Sequence, residues 1–138
     1  DDAVVNVPLP ASGVSTEGFV AAWEQLLDRA TRRTRPDAIV VSAGFDYVAG
    51  DPVGDLGVGV EAAGWLARAI NRTAHTYCGG RVAYVLEGGY DIDALTESIA
   101  QVIECSDSGD VEVPDASIEA LPAAVRARLR AIDEQFAR

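Results

Sequence analysis

Two short segments of the sequence combine glycine with a reactive polar side chain. One is Gly44-Phe45-Asp46 and the other is Gly88-Gly89-Tyr90. Glycine lets the backbone turn sharply or approach a ligand closely. Asp46 could act as a metal ligand or a general base, but an aspartate after a strand is also a common helix cap. Tyr90 could donate a hydrogen bond to a ligand or lie half-buried at a rim, and the residues alone leave both pairs of alternatives open.

The first segment follows a short, continuous apolar run at 38–43, and the second follows a second predicted buried strand at 81–86. Such runs predict strands buried on both faces, which is typical of a parallel sheet covered by helices. Residues 60–76 between them predict an amphipathic helix, so the order is strand, helix, strand, which forms a βαβ unit with parallel strands. Ligands bind beyond the carboxyl ends of such strands. Asp46 and Tyr90 are therefore expected at one edge of the sheet.

Further elements flank this unit. Residues 4–9 predict a strand that Pro8 and Pro10 end, because proline cannot donate to a β-ladder. A helix is expected from a cap at Ser15 or Thr16 to about residue 33, and others over roughly 92–104 and 121–136. The stretch 104–119 carries six acids and no base, which predicts a solvated linker. The first helix should bury an apolar stripe at three- and four-residue spacing: Phe19, Trp23, Leu26, Leu27 and Ala30.

The charge composition excludes several classes of protein. Eleven basic residues, all arginine, stand against 22 acidic ones, for a net charge of −11 at pH 7. A nucleic-acid-binding module needs a basic surface, and without lysine neither a P-loop nor a Schiff base can form. No apolar run approaches the roughly 20 residues of a membrane helix. We therefore expect neither nucleic acid nor a membrane as a partner.

Histidine and cysteine are too few for an ordinary zinc site within this chain. There is one histidine, His75, on a predicted helix, and the two cysteines, Cys78 and Cys105, lack metal-ligand spacing. Zinc sites usually take about three or four such ligands. The cysteines are expected to stay reduced in a cytoplasmic protein. The chain contains no methionine and opens as if within a strand, which predicts a fragment of a larger protein.

Three motifs in a fixed order carry a resemblance to a known family. Preceded by Asn6-Val7-Pro8-Leu9-Pro10, the motifs Ser42-Ala43-Gly44-Phe45-Asp46, Gly50-Asp51-Pro52 and Leu86-Glu87-Gly88-Gly89-Tyr90 resemble the C-terminal half of the histone deacetylase superfamily, in particular its class II and bacterial members. The resemblance implies an α/β fold of the arginase/deacetylase type, with three layers around a central parallel sheet. Residues 1–105 would form the C-terminal part of the catalytic domain, and 106–138 an acidic linker and a C-terminal amphipathic helix of the same domain.

The resemblance also implies roles for individual residues. In this family Zn²⁺ is held by two aspartates and one histidine; Asp46 matches the second aspartate, and Tyr90 matches the tyrosine that polarises the substrate carbonyl. Gly88-Gly89 would give the substrate room against bare backbone, while Asp51 and Glu87 would fix the loops around the site. The other metal ligands and a pair of general-base histidines belong to the N-terminal half of the domain, which would be this chain's principal partner.

The function implied is zinc-dependent hydrolysis of an acetylated amine, either acetyl-lysine or an acetylpolyamine, with release of acetate. The fragment alone would be inactive. The alternative is a non-catalytic α/β module, or a pseudoenzyme, that acts in protein interaction, and self-association into a homo-oligomer is left open. The sequence departs from the family at three places: Tyr47-Val48 on the outer rim of the pocket, Val53-Gly54-Asp55 in place of Leu-Gly-Gly, and Thr16 in place of aspartate. These departures bear on substrate preference and loop shape rather than on the zinc chemistry.

Overall fold

The computed structural model describes residues 4–107 and 117–136. Along the chain these residues form α1 (Thr16–Thr34), β1 (Ile39–Ala43), α2 (Ala62–Cys78), β2 (Val82–Leu86), α3 (Ile92–Asp107), a 3₁₀ turn (Ile118–Ala120) and α4 (Ala123–Phe136). The predicted helices and the βαβ unit are therefore present. Most of the predicted linker falls on 108–116, outside the described residues. Over the described part of the chain, no helix is long and apolar enough to cross a membrane.

Strands β1 and β2 pair in parallel, as the βαβ prediction requires. The paired residues run from Ile39 with Val82 to Ala43 with Leu86, and α2 forms the crossover between the strands. Because the strands are parallel, their carboxyl ends lie at the same edge of the sheet. The segments that follow Ala43 and Leu86 therefore both begin at that edge.

Within the described residues the sheet is covered on one face only, whereas the sequence predicted strands buried on both. Val41 lines a cavity beneath α2, and the Tyr84 hydroxyl donates to Asn71 Oδ1 of that helix at 3.2 Å. Val40 and Val85 point the opposite way, since side chains alternate along a strand, and are 71% and 48% exposed. The prediction was wrong for this chain because an apolar run marks strands suited to burial on both faces, while α2 covers a single face.

The segment 4–9 has no β-ladder in the structure, although a strand was predicted there. Pro8 and Pro10 lack the N–H groups that a ladder needs, and the described strands pair only with each other. Instead, Arg128 Nε of α4 donates to the Asn6 carbonyl oxygen at 2.9 Å. Val7 and Leu9 pack against the hydrophobic core. The apolar pattern of this segment thus serves packing rather than pairing.

Helix α1 buries a different face from the predicted stripe. Ser15 is its N-cap, and Ser15 Oγ accepts from the Gly18 amide at 3.1 Å. Phe19 is buried, but Trp23 is 44% exposed and lines an open apolar groove. The other predicted stripe residues line the same groove: Leu26, Leu27 and Ala30. Residue spacing identifies the apolar side of a helix, but packing decides which of its turns are covered.

The core lies between α1, the start of α2 and α4. Helix α4 packs back on α1, as its apolar face predicts, and Arg29 Nε of α1 forms an ion pair with Asp133 Oδ1 of α4 at 2.9 Å. This packing anchors the C-terminal helix to the part of the chain that contains the motifs. Deeply buried members of this core include Val20, Val58, Ala62, Val125 and Leu129.

The carboxyl end of α2 holds the single histidine of the chain. Gly79 ends the helix in a left-handed conformation, with φ 62°. His75 is exposed and lies beside Gly80, just before β2 begins, so it lies at the sheet edge opposite to the segments that follow the strands. Cys78 and Cys105 are both free thiols, as predicted.

Candidate active site

Pairing between the two strands continues past their ends and brings the two glycine segments together. The Glu87 amide donates to the Ala43 carbonyl oxygen at 3.1 Å, and the Phe45 amide donates to the Gly88 carbonyl oxygen at 2.9 Å. These bonds place Gly44-Phe45-Asp46 alongside Gly88. The prediction that both segments share one edge of the sheet is confirmed.

The Asp46 carboxylate lies over bare glycine backbone from both segments. A Cβ atom on Gly88 would be 3.3 Å from Asp46 Cγ and 3.4 Å from its Oδ1, and a Cβ on Gly44 would be 3.3 Å from the same Oδ1. Each glycine therefore leaves space that a side chain would crowd. Within the described part of the chain, no donor bonds to either carboxylate oxygen, so both oxygens are available to a ligand.

The backbone of Asp46 is fixed by the loop that follows it. The Asp55 amide donates to the Asp46 carbonyl oxygen at 2.8 Å, and the Leu56 amide donates to the Tyr47 carbonyl oxygen at 3.1 Å. Gly54 passes so close that a Cβ atom there would lie 2.1 Å from the Asp46 carbonyl oxygen. Gly54 is thus a site residue that the sequence analysis missed, noting it only within a departure from the family motif.

Asp55 stands in a left-handed backbone conformation, with φ 40°, where the family motif has its second glycine. Aspartate is one of the few residues with a side chain that adopt this conformation readily. Asp55 Oδ1 accepts from the Gly57 amide at 3.2 Å, a local bond that is typical of aspartate in turns. Aspartate can therefore replace the family's glycine at this position while the backbone keeps its left-handed conformation.

Asp51 is buried, with 5% exposure, and joins this loop to the one that carries Tyr90. Its Oδ1 accepts from the amides of Val53 and Gly54 at 2.8 and 3.1 Å. Its Oδ2 accepts from the amides of Tyr90 and Asp91 at 2.7 and 3.2 Å. Burial by itself raises the pKa of this carboxyl, but the four N–H donors, Tyr90 foremost, outweigh it and hold the pKa below the ordinary 3.8.

Tyr90 presents its side chain to solvent, with 55% exposure. Gly89 turns the backbone just before it, with φ 124°, and a Cβ atom on Gly89 would lie 3.0 Å from Leu95 Cδ1 and 3.1 Å from Phe45 Cβ. Turn geometry and packing thus require glycine at this position, while the neighbouring Gly88 faces the Asp46 carboxylate. A role of either glycine in binding substrate stays a prediction.

Glu87 and Thr16 each link two segments near the site. Glu87 is exposed, and its Oε1 accepts from the Ser42 hydroxyl at 3.4 Å, across the ends of the strands. Thr16 Oγ1 accepts from the Gly59 amide at 2.9 Å, which ties the start of α1 to the loop before α2. An aspartate oxygen could accept the same bond, which gives a physical reason why threonine replaces the family's aspartate.

Val48 is buried and Tyr47 is partly buried against the core, whereas both were predicted on the outer rim of the pocket. The Tyr47 ring packs on Phe19, with the ring centroids 4.9 Å apart. Val48 is 2% exposed and forms a β-bridge with Val58, which turns this pair inward. Burial raises the pKa of the Tyr47 hydroxyl well above its ordinary value. These two residues therefore support the loop after Asp46.

The described residues supply one candidate metal ligand but not a complete set. Across 4–107 and 117–136, no three histidine, cysteine, aspartate or glutamate side chains come together in a way that could hold an ion. Asp46 itself fits a Zn²⁺ ligand, because it offers an anionic oxygen that bonds to no donor and lies in a space kept open by glycine. His75 is at the opposite edge of the sheet. Zn²⁺ at Asp46 would take its remaining ligands from outside the described residues.

Sequence comparisons identify the relatives of this chain. The profile of the histone deacetylase domain matches residues 1–106. "Histone deacetylase 10, chloroplastic" of Oryza sativa subsp. japonica is 36% identical over 100 residues, which is 72% of this chain and 22% of the relative. "Polyamine deacetylase HDAC10" of Homo sapiens is also 36% identical over 100 residues, which is 72% of this chain and 14% of the relative. The chain thus spans less than a quarter of the length of these relatives.

Solved structures agree at the level of the fold. The histone deacetylase Clr3 superposes with a TM-score of 0.77 at 21% identity, over 96% of this chain and 21% of that one. The HD domain of HDA15 superposes with a TM-score of 0.71 at 24% identity, over 94% of this chain and 34% of that one. The fold is therefore the predicted arginase/deacetylase-type α/β fold, of which β1 and β2 form two parallel strands. By its motifs, its matched profile and its relatives, the chain belongs to the histone deacetylase family.

Proposed function

We propose that this chain contributes a zinc ligand and an oxyanion donor to a zinc-dependent deacetylase that hydrolyses an acetylated amine to acetate and the free amine. The main support is a single arrangement: the Asp46 carboxylate lies against Gly88, two residues before Tyr90, at the carboxyl edge of a parallel sheet. The family motifs imply that Asp46 and Tyr90 act at one site, and this edge of the sheet is where the segments that carry them lie side by side.

Asp46 would hold the metal through its carboxylate. When bound, Zn²⁺ polarises a carbonyl group and lowers the pKa of a bound water molecule. Asp46 contributes a negative charge on a fixed backbone, because the Asp55 amide bonds to its carbonyl oxygen, and Gly44 and Gly88 leave its carboxylate free of crowding. The backbone that carries the ligand is therefore in place before the metal binds.

Tyr90 would act on the carbonyl oxygen of the substrate. A tyrosine hydroxyl is a donor at neutral pH and can bond to an oxygen that becomes negatively charged as water attacks the amide carbon. A bond of this kind is stronger in the transition state than in the ground state, so it raises kcat. The exposed side chain leaves the hydroxyl accessible to a substrate.

Acetyl-lysine and acetylpolyamine are the two substrate classes under this proposal. The rice relative is named a histone deacetylase and the human relative a polyamine deacetylase, at the same 36% identity to this chain. Turnover of an acetyl-lysine peptide and of an N-acetylated polyamine, measured side by side on the complete catalytic domain, would assign the class.

The rest of a deacetylase domain is the principal partner in this proposal. It would supply the other metal ligands and the general bases. The open strand face around Val40 and Val85, and the apolar groove along Trp23, are surfaces that such a segment would cover. Nucleic acid and membranes are not proposed as partners of a chain with 22 acidic and 11 basic residues. Cytoplasmic localisation and self-association stay predictions.

The test is Tyr90→Phe in the complete catalytic domain that contains this chain. Loss of one oxyanion donor should lower kcat by about 10²–10³-fold, while KM and zinc content stay nearly unchanged because the ring and the metal ligands remain. Tyr84→Phe is a matched control, since that hydroxyl bonds to Asn71 beneath α2. A kcat within a few-fold of wild type, in a protein that still binds zinc, would refute the role of Tyr90.

A further inference from the structure

We propose that Asp51 is a positioning residue for Tyr90. One of its carboxylate oxygens accepts the amides of Tyr90 and Asp91, the other accepts two amides of its own turn, and the tyrosine-bearing loop is thereby held against the loop that begins at Asp46. The inference rests on the proposed function, because it gives Asp51 a part in the same reaction without contact to the substrate.

The carboxylate of Asp51 is itself held rigidly. Its Oδ1 is bound by the amides of Val53 and Gly54, only two and three positions along the chain. Rotation of the side chain would break these bonds as well as those of Oδ2. Gly54 in turn lies directly on the carbonyl of Asp46. A continuous set of contacts therefore runs from the backbone of Tyr90 through Asp51 to the backbone of Asp46.

The peptide between Tyr90 and Asp91 is fixed from the other side by α3. Asp91 Oδ1 accepts from the amides of Asp93 and Ala94, both at 3.0 Å, and so caps that helix. The Tyr90 side chain is more than half exposed, so few packing contacts restrict its position. The position of its hydroxyl therefore depends on the backbone, and Asp51 is the side chain that binds this backbone.

A carboxylate suits this place better than its nearest analogue. Four N–H groups converge on two oxygens, and each oxygen accepts two of them. Asparagine has one oxygen and an NH₂ group that cannot accept, so Asp51→Asn leaves two part-buried N–H groups facing another donor. Because a donor that faces another donor loses its hydrogen bond, the two loops should separate.

The first measurement follows the backbone and needs no activity. In the 138-residue chain, Asp51→Asn should speed amide hydrogen exchange at Tyr90 and Asp91 by about tenfold or more, since these amides lose a buried acceptor. Asp55→Asn is the matched control, because Asp55 is an exposed aspartate of the same loop whose carboxylate, among the residues that the structure describes, bonds only to the Gly57 amide. Exchange at Tyr90 that is unchanged by Asp51→Asn would overturn the proposal.

The second measurement separates positioning of Tyr90 from general disruption. In the complete catalytic domain, Asp51→Asn should lower kcat by about 10- to 100-fold through misplacement of the donor, with KM and zinc content nearly unchanged. In a Tyr90→Phe background the same substitution should add less than a threefold further loss, because the hydroxyl that Asp51 positions is already gone. An equal loss in both backgrounds, or a wild-type kcat in Asp51→Asn, would overturn the proposal.

The two proposals fail in different ways. If Tyr90→Phe has a wild-type kcat, the proposed function fails; if Tyr90→Phe is impaired and Asp51→Asn is not, only the positioning role fails. Should Asp51→Asn not fold, the wild-type protein still provides a test. The amide proton shifts of Gly54 and Tyr90 should follow one shared acid titration, because both amides bond to the same carboxylate. Independent behaviour of the two shifts would refute the bridge.

Discussion

Gly54→Ala should displace the loop that fixes Asp46. The added Cβ atom would lie 2.1 Å from the Asp46 carbonyl oxygen and 2.7 Å from the carbonyl carbon, whereas ordinary contact begins at 3.4 Å. Both obstructing atoms belong to the backbone, so no side-chain rotation relieves the clash. The two segments therefore have to move apart by at least about 1 Å.

The destabilisation can be worked from the hydrogen bonds that this movement breaks. The bond from the Asp55 amide to Asp46 is 2.8 Å long, and the bond from the Leu56 amide to Tyr47 is 3.1 Å long. If the segments move apart by about 1 Å, both donor–acceptor distances exceed the range of a hydrogen bond. At about 0.5–1.5 kcal/mol net for each bond, the free energy of unfolding should fall by about 1–3 kcal/mol.

Urea unfolding together with amide hydrogen exchange provides the assay. Gly54→Ala should lower the urea midpoint and remove protection from the Asp55 and Leu56 amides. Gly57→Ala is the control: no atom lies within 4 Å of its Cβ position, but its φ of 73° imposes backbone strain, at a cost of about 1–2 kcal/mol. This control should lower the midpoint while the Asp55 amide stays protected. A Gly54→Ala protein with the wild-type midpoint and a protected Asp55 amide would refute the reasoning.

Three further outcomes are expected. The 138-residue chain alone should release no acetate from acetylated amines, because its described residues supply a single candidate metal ligand; robust turnover that is insensitive to a chelator would contradict both the fragment interpretation and the zinc assignment. Asp46→Ala in the complete catalytic domain should lower zinc content, since it removes one ligand and one negative charge, and an unchanged metal analysis beside an Asp93→Ala control would exclude Asp46 as a ligand. The folded pKa of Asp51 lies below the ordinary 3.8, so its stabilising effect is present above that pH and is lost as pH falls through the folded pKa; Asp51→Asn should flatten the pH dependence of the urea midpoint in that window, and an unchanged pH dependence in that variant would contradict this.

The local structure of this protein could be predicted from its sequence. The Ser15 cap bonds three residues along the chain, and apolar runs of strand length separated by a helical period predict the βαβ unit that the structure contains. The parallel order of the strands then places the segments after them at one edge. Family motifs directed attention to Asp46 and Tyr90, and the structure shows the backbone beside these residues meeting there.

Tertiary packing decided the features that depend on which distant segments meet. Three features depend on which part of the molecule lies beside them: the exposure of Trp23, the open strand face and the unpaired segment 4–9. The periodicity of the sequence does not show which segment that neighbour is. The contact of Asp51 with the Tyr90 amide spans 39 positions. Its donors are backbone N–H groups, which nearly every residue has, so no side-chain pattern in the sequence marks them. Gly54 was not predicted as a site residue for a related reason. It matters because it has no Cβ atom at the place where the Asp46 carbonyl group passes, and this close approach is visible only in the folded chain.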